Sequence, residues 1–278
     1  MLLRRTPAPP LDRYVEFVWA SERDALPHPR ERNLPSGRAD LVIALHQEHL
    51  SRYSSADDRV GTRLRGAVFQ GPQERCWLRA TDEPSSVVGV HFRAGGAAAF
   101  VDGALPELAN RSVELQALWG GAALELREQL QALATAPQRL DALEQALRAR
   151  LAHVGAPRSS ATTNAALAWA IARFDAQPSV ARVEPVRAAL GWSAPLFIAR
   201  FHAAVGLTPK RFCRVRRFQA VLGSIANGRG AGWAGLALEA GYSDQAHFNR
   251  EFRAFSGLTP GHYRPVAPEQ PSHVAEWR

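Results

Sequence analysis

The sequence predicts an α+β protein: a strand-rich N-terminal domain with a helical hairpin, then an all-α domain carrying two helix-turn-helix motifs. Three observations predict it. Short apolar runs punctuated by Gly and Pro fill the first hundred residues, a helical period takes over near residue 113, and the last third repeats itself. A length of 278 residues suits about two domains, each able to bury a core.

The N-terminal runs come in order. Tyr14 to Trp19 mixes β-branched and aromatic residues, and Asn33 to Leu45 reads as a Pro/Gly turn feeding a buried strand. Arg63 to Trp77 holds shorter runs broken by Gly66 and by Gly71-Pro72, and Val87 to Phe92 is a further strand. Strands of this length and spacing predict a small barrel or a sandwich. Arg93-Ala-Gly-Gly96 lacks both phosphate-loop patterns, so it reads as a tight turn into an Ala-rich helix near 96–102. His28, His46, His49 and His91 lack a metal-ligand spacing, and neither a metal nor a cofactor is expected. Trp19, Arg38, Asp40, Trp77 and His91 are candidates to line a small-molecule cavity, although the same residues suit an ordinary barrel interior.

Between about 113 and 153 the period is helical. Leu124, Leu130 and Leu133 precede Pro137, and Leu140, Leu143, Leu147 and Leu151 then form an apolar seam. This hairpin packs on its own domain or, as the second option, on a twin in a homodimer. Gly155 to Thr163 reads as a linker, which divides the chain into an N-terminal domain, 1–154, and a second domain, 164–264, with a tail at 265–278.

Charge separates the same two parts. Residues 178–264 carry 12 Lys and Arg against 4 Asp and Glu, whereas residues 1–177 balance 21 against 20. A cationic excess confined to one domain is the electrostatic footprint of an anionic partner such as nucleic acid. In that domain Thr163 to Phe174 reads as a helix, and two matched units follow. Val183 to Ser193 matches Trp233 to Ser243, and Phe197, Phe201 and Gly206-Leu-Thr-Pro209 match Phe248, Phe252 and Gly257-Leu-Thr-Pro260. Each unit is helix, glycine turn, capped helix and stop, with Ser243 the expected cap of the last helix. Pro209 to about Ile225 is the helix connecting them, about 25 Å long at 1.5 Å per residue.

Projected at 100° per residue, the last helix turns Phe248, Phe252 and Phe255 inward. Gln245, Ala246, Asn249, Arg250 and Arg253 are left for base edges, where Arg suits guanine and an amide suits adenine. The first copy offers Pro195, Ile198, Ala199 and His202, of which only His202 can hydrogen-bond a base. Ser193, Arg200, Lys210, Arg211, Arg214, Arg216, Arg217, Ser243 and His247 are the expected phosphate contacts, with the connecting-helix arginines on one exposed face.

Residues 160–264 resemble the DNA-binding domain of the AraC/XylS family of transcription regulators. The resemblance rests on Ala240-Gly-Tyr-Ser-Asp-Gln-Ala-His-Phe-Asn-Arg-Glu-Phe-Arg253, the following Gly-Leu-Thr-Pro260 and His262-Tyr-Arg264. Residues 7–153 resemble the sensor-type domain of one branch of these regulators, through Asn33 to Leu41, Val88 to Gly96 and Leu118-Trp-Gly120. The resemblance implies a cupin-like β domain, double-stranded DNA as partner, a sequence-specific regulatory function without catalysis, and an effector that it does not name. RNA polymerase is a candidate partner of any such regulator. The first copy departs from the family at Ala199, where an arginine is usual, and at Arg187, where a small residue is usual.

Two other functions were weighed. Some members of this family carry a fused alkyl-transfer repair domain with acceptor and zinc-binding cysteines, but two cysteines, Cys76 and Cys213, are too few for both tasks. The third is a small-molecule enzyme domain with a DNA-binding output, for which no nucleophile or metal triad is recognisable. Met1 to Pro7 has no apolar signal-peptide core and no 18-residue apolar run occurs, so a cytoplasmic protein with no membrane partner is expected.

Overall fold

The computed structural model describes residues 1–102, 105–154, 161–228 and 232–277. The N-terminal strands are β1 (Leu2–Arg5), β2 (Val15–Arg23), β3 (Arg30–Asn33), β4 (Asp40–Ala44), β5 (His49–Tyr53), β6 (Thr62–Arg65), β7 (Ala67–Gln70), β8 (Trp77–Ala80), β9 (Ser85–Phe92) and β10 (Ser112–Glu114). They form two antiparallel sheets. The first runs β1-β2-β9-β4-β7-β10; the second contains β3-β8-β5-β6 and gains one more strand from the far end of the chain. The sheets face one another without closing into a barrel.

The period-2 pattern explains how the first sheet is used. Val18 and Ala20 of β2, Leu41 and Ile43 of β4, Phe69 of β7, and Val88, Val90 and Phe92 of β9 point into one apolar core. The alternate residues, among them Phe17, Trp19, Asp40, Val42, Val68 and His91, point the other way, into the space between the sheets. Both faces of the sheet are therefore occupied, one by helices and the other by a cavity.

The helices on the outer face are α1 (Gln116–Trp119), α2 (Gly121–Ala132) and α3 (Ala136–Val154). Leu140, Leu143 and Leu147 are fully buried in the sheet's own core and Leu151 packs against it. Each fully buried leucine contributes about 1.5–3 kcal/mol. The seam is consumed within the chain and offers no surface to a twin, which corrects the homodimer option along this seam.

The rest of the chain is helical: α4 (Ala161–Ala176), α5 (Val183–Ala189), α6 (Ala194–Val205), α7 (Pro209–Ala226), α8 (Trp233–Glu239) and α9 (Gln245–Ser256). Residues 155–160 of the expected linker lie outside the described residues, and its last positions, 161–163, are the first turn of α4. Two cores share α7. Phe212 packs with Phe174, Phe197 and Phe201, while Phe218 packs with Phe248, Phe252 and Phe255. Aromatic pairs such as Phe201–Phe212 and Phe218–Phe252, with centroids 5.6 and 5.3 Å apart, add about 0.5–1.5 kcal/mol each beyond burial. The glycine turn of the second unit is doubly constrained. Gly241 has φ +78°, and a Cβ there would lie 2.3 Å from the Ser179 carbonyl oxygen.

The tail does not trail away. After Tyr263 the chain turns back and forms β11 (His273–Glu276), which pairs antiparallel with β3 as an edge of the second sheet. Arg32 pairs with Glu276, and the Leu34 backbone N–H donates to the Ser272 carbonyl at 2.8 Å. Leu34 and Val274 complete the core of the second helix-turn-helix unit. The strand-rich and helical parts are thus joined by packing as well as by the peptide chain.

Candidate nucleic-acid interface and the cavity behind it

Helix α9 starts one residue later than the sequence cap predicts. Asp244, not Ser243, is the N-cap, and its Oδ1 accepts the His247 N–H at 2.6 Å. That hydrogen bond holds the Asp244 carboxyl below its ordinary range. The three phenylalanines of α9 face the core, so Gln245, Ala246, Asn249, Arg250 and Arg253 all lie exposed on the remaining surface. His247 sits half-buried on the flank, with Nδ1 3.1 Å from the Ser243 hydroxyl.

The corresponding helix α6 is seated in the same way by Phe197 and Phe201, both fully buried. Pro195, Ile198 and Ala199 are exposed and His202 is half-buried. Leu196, which was not among the expected base-readers, is also exposed, about 160° around the helix from Ile198. Arg200 packs over the Trp192 ring at 4.8 Å and donates to the Thr163 hydroxyl at 3.4 Å. Arg187 is occupied by Glu184 and the Trp192 carbonyl.

The connecting helix α7 corrects one expectation. Its four arginines do not share an exposed face. Arg216 is turned toward the N-terminal part, where it donates to the Ser36 carbonyl at 3.4 Å, and its Nε lies 2.5 Å from Asp175 of α4. At 100° per residue it lies 160° around the helix from Arg214, so one surface cannot display both. Arg214 is held 2.8 Å from the buried Glu251, Arg211 pairs with Glu74 at 3.2 Å, and Arg217 covers the Tyr242 ring at 5.2 Å. Lys210 is exposed at the start of α7 and Ser193 is exposed before α6.

Behind the helices, the two sheets enclose a cavity of about 950 Å³. Trp19, Arg38, Asp40, Trp77 and His91 all line it. His91 stacks on Phe17 with ring centroids 4.9 Å apart, and its Nδ1 lies 2.6 Å from Asp40 Oδ1. Trp19 lies flat across Gly89, its strand partner, where a Cβ would come within 2.5 Å of the indole. Arg38 pairs with Glu16 and, at 3.2 Å, with Asp175 of α4, the same carboxylate that holds Arg216. Burial, together with Arg216, pushes the Arg38 guanidinium below its ordinary value.

Other wall residues were not visible as such in the sequence. Glu31 is buried between Arg79 at 2.6 Å and His273 of β11 at 2.6 Å. Burial raises its carboxyl, but the His273 hydrogen bond and the Arg79 charge prevail and hold it down at about 2. Arg52 lies over Trp77 at 4.7 Å. The tail itself supplies part of the wall, including Gln270, Ser272 and His273.

Neither thiol is activated. Burial pushes Cys213 up to about 12 and raises Cys76 despite the neighbouring Arg32, so both are protonated at neutral pH and poor nucleophiles. Among the described residues no group of three or more His, Cys, Asp or Glu is arranged to hold a metal, and no helix is long and apolar enough to cross a membrane.

Residues 187–265 match a family profile described as a helix-turn-helix domain, and residues 3–114 match one described as a domain of unknown function, DUF6597. No curated protein matches the chain. Among solved structures, ToxT from Vibrio cholerae aligns at 9% identity and a TM-score of 0.44, over 88% of this chain and 96% of that one. The AraC-like transcriptional activator CuxR aligns at 16% identity and a TM-score of 0.30, over 86% and 91%.

Proposed function

We propose that the chain, whose residues 187–265 match a helix-turn-helix domain profile, is a sequence-specific, double-stranded-DNA-binding transcription regulator of the AraC type whose N-terminal cavity modulates binding. The observation that carries the reading is the pair of exposed faces on α6 and α9, mounted on one connecting helix. At 1.5 Å per residue the 18 residues of α7 span about 27 Å, a spacer suited to successive major grooves about 34 Å apart.

The two faces differ in chemistry. α9 presents Gln245, Asn249, Arg250 and Arg253, which hydrogen-bond base edges. α6 presents Pro195, Ile198 and Ala199, which meet thymine methyls and the shape of the groove, with His202 as its one polar reader. Lys210, Ser193 and Ser243 hold phosphates and set the register. Arg200, Arg211, Arg214 and Arg217 reach a phosphate only by leaving their present partners.

Modulation is supported by two links from the cavity to the helical domain. Arg38 joins the cavity wall to α4 and, through Asp175, to α7. The tail joins the wall directly to the end of the second unit. The reading is tested by selecting bound duplexes from a random library with the full chain. Two preferred blocks one helical turn apart are expected; enrichment of single strands, or no enrichment at all, contradicts it.

A further inference from the structure

Of the half-buried guanidiniums that line the cavity, Arg52 and Arg23 have no carboxylate partner among the described residues. Arg38 has Glu16 and Asp175, Arg79 has Glu31, and Arg216 has Asp175. Arg52 has none among the described residues. Its Nη1 donates to the Ser112 hydroxyl and its Nη2 to the Gln73 side-chain oxygen at 2.9 Å, both neutral acceptors. A guanidinium has five N–H donors, so three remain for a ligand. Burial alone pushes it down to about 10, with no neighbouring charge offsetting the loss of water.

Its surroundings deepen the deficit. Arg52 is the cross-strand partner of Arg79, whose carboxylate is already shared with His273. Arg23, from the facing sheet, also lines the cavity, and its Nη1 is buried with no hydrogen-bond partner. The other acids of the lining do not compensate. Glu22 is taken by Arg139 and Asp40 by His91, while Asp82, Glu83 and Glu269 are exposed at the rim. A buried cation without a counter-charge is costly, and an anion entering the cavity removes that cost. The opposite wall carries an apolar patch beside Asp40 and His91: Phe17, Trp19, Val42, Val68 and Val87 come from alternate positions of the first sheet. At about 950 Å³ the space takes a small organic molecule.

We propose that the cavity binds a carboxylic acid with an apolar body, its carboxylate on Arg52 and its body against Trp19 and the valines. This rests on reading the cavity as the regulatory site. Alkyl and aryl acids share the chemistry, so both are used as probes: octanoate and 3-phenylpropanoate, each beside its primary amide. Binding to the full chain is measured by calorimetry, with thermal unfolding of every variant and duplex binding measured alongside. At least one acid is expected to bind about ten- to a hundredfold more tightly than its amide, the worth of a charge-assisted hydrogen bond. Arg52→Met should erase that preference, and Arg52→Lys should retain part of it; thermal unfolding shows that each variant is folded. Equal binding of acid and amide, an acid preference that survives Arg52→Met, or no binding of either acid overturns the inference. Any of these with duplex binding intact leaves the DNA-binding function standing, whereas loss of specific duplex binding by the wild-type chain is the failure of that function.

Discussion

At the scale of single residues, partners decide which side chains are free to act. Ser243 and Asp244 are adjacent and both able to cap a helix, so the sequence left the choice open to a one-residue error. Burial of Phe248 and Phe252 fixes the register, and Asp244 then reaches the His247 N–H. Arg250 is exposed and belongs to no ion pair among those of the described residues. Arg250→Ala should weaken binding to the specific duplex by about 5- to 150-fold, the worth of one bidentate base contact, and relax preference at one base pair. Arg214 makes a poor probe of phosphate contact, because removing it leaves buried Glu251 without its partner. Lys210→Ala is the cleaner substitution, expected to weaken matched and scrambled duplexes alike and to reduce the salt slope by about one. Glu31 gives a pH signature. Its folded-state pKa lies at about 2 against an ordinary 4.5, so its contribution to stability is complete above about pH 4.5 and is lost as pH falls toward 2. An acid titration followed by tryptophan fluorescence should show a shallower loss over that interval in Glu31→Gln than in the wild type.

Elements show where sequence periodicity sufficed and where it did not. The repeated glycine turns and aromatic pairs made the two helix-turn-helix units legible, since each feature is local and recurs in step. The central strands β2, β4 and β9 of the first sheet were legible too, whereas its edge strands β1 and β10 were not; the five residues proposed for a cavity all line the space between the sheets. The seam of α3 was legible as apolar but silent about its partner, because a leucine stripe fits a sheet as well as a second helix. With Leu143 wholly buried in its own domain, Leu143→Ala should lower the unfolding free energy by about 2–5 kcal/mol without changing the mass measured by light scattering. The tail was not legible. His273-Val-Ala-Glu276 is a short run following several prolines, and only the waiting edge of β3 makes it a strand. Arg52 was equally hidden, being one arginine in a polar hairpin whose burial depends on the facing sheet.

The whole molecule is a cationic helical domain clamped to a nearly neutral β domain, with carboxylates such as Asp175 and Glu74 at the junction. Asp175 faces both Arg38 and Arg216, and Asp175→Asn would leave the two guanidiniums opposed across the boundary. Which way Arg216 points could not be read from the helix alone, since that depends on where the β domain docks. A calorimetric scan should show a lower unfolding temperature for Asp175→Asn than for the wild type. The opposite surface carries the proposed function, in which α9 reads DNA by hydrogen bonds and α6 by apolar contact and shape. Base preference at every position of the selected duplex, measured for the wild type, Arg250→Ala and His202→Ala, tests it most directly. The account predicts that Arg250→Ala flattens one position in the α9 block while His202→Ala changes at most one position in the other, leaving the rest of that block in place. Loss of the entire α6 block in His202→Ala, with the α9 block unaffected by Arg250→Ala, would contradict it.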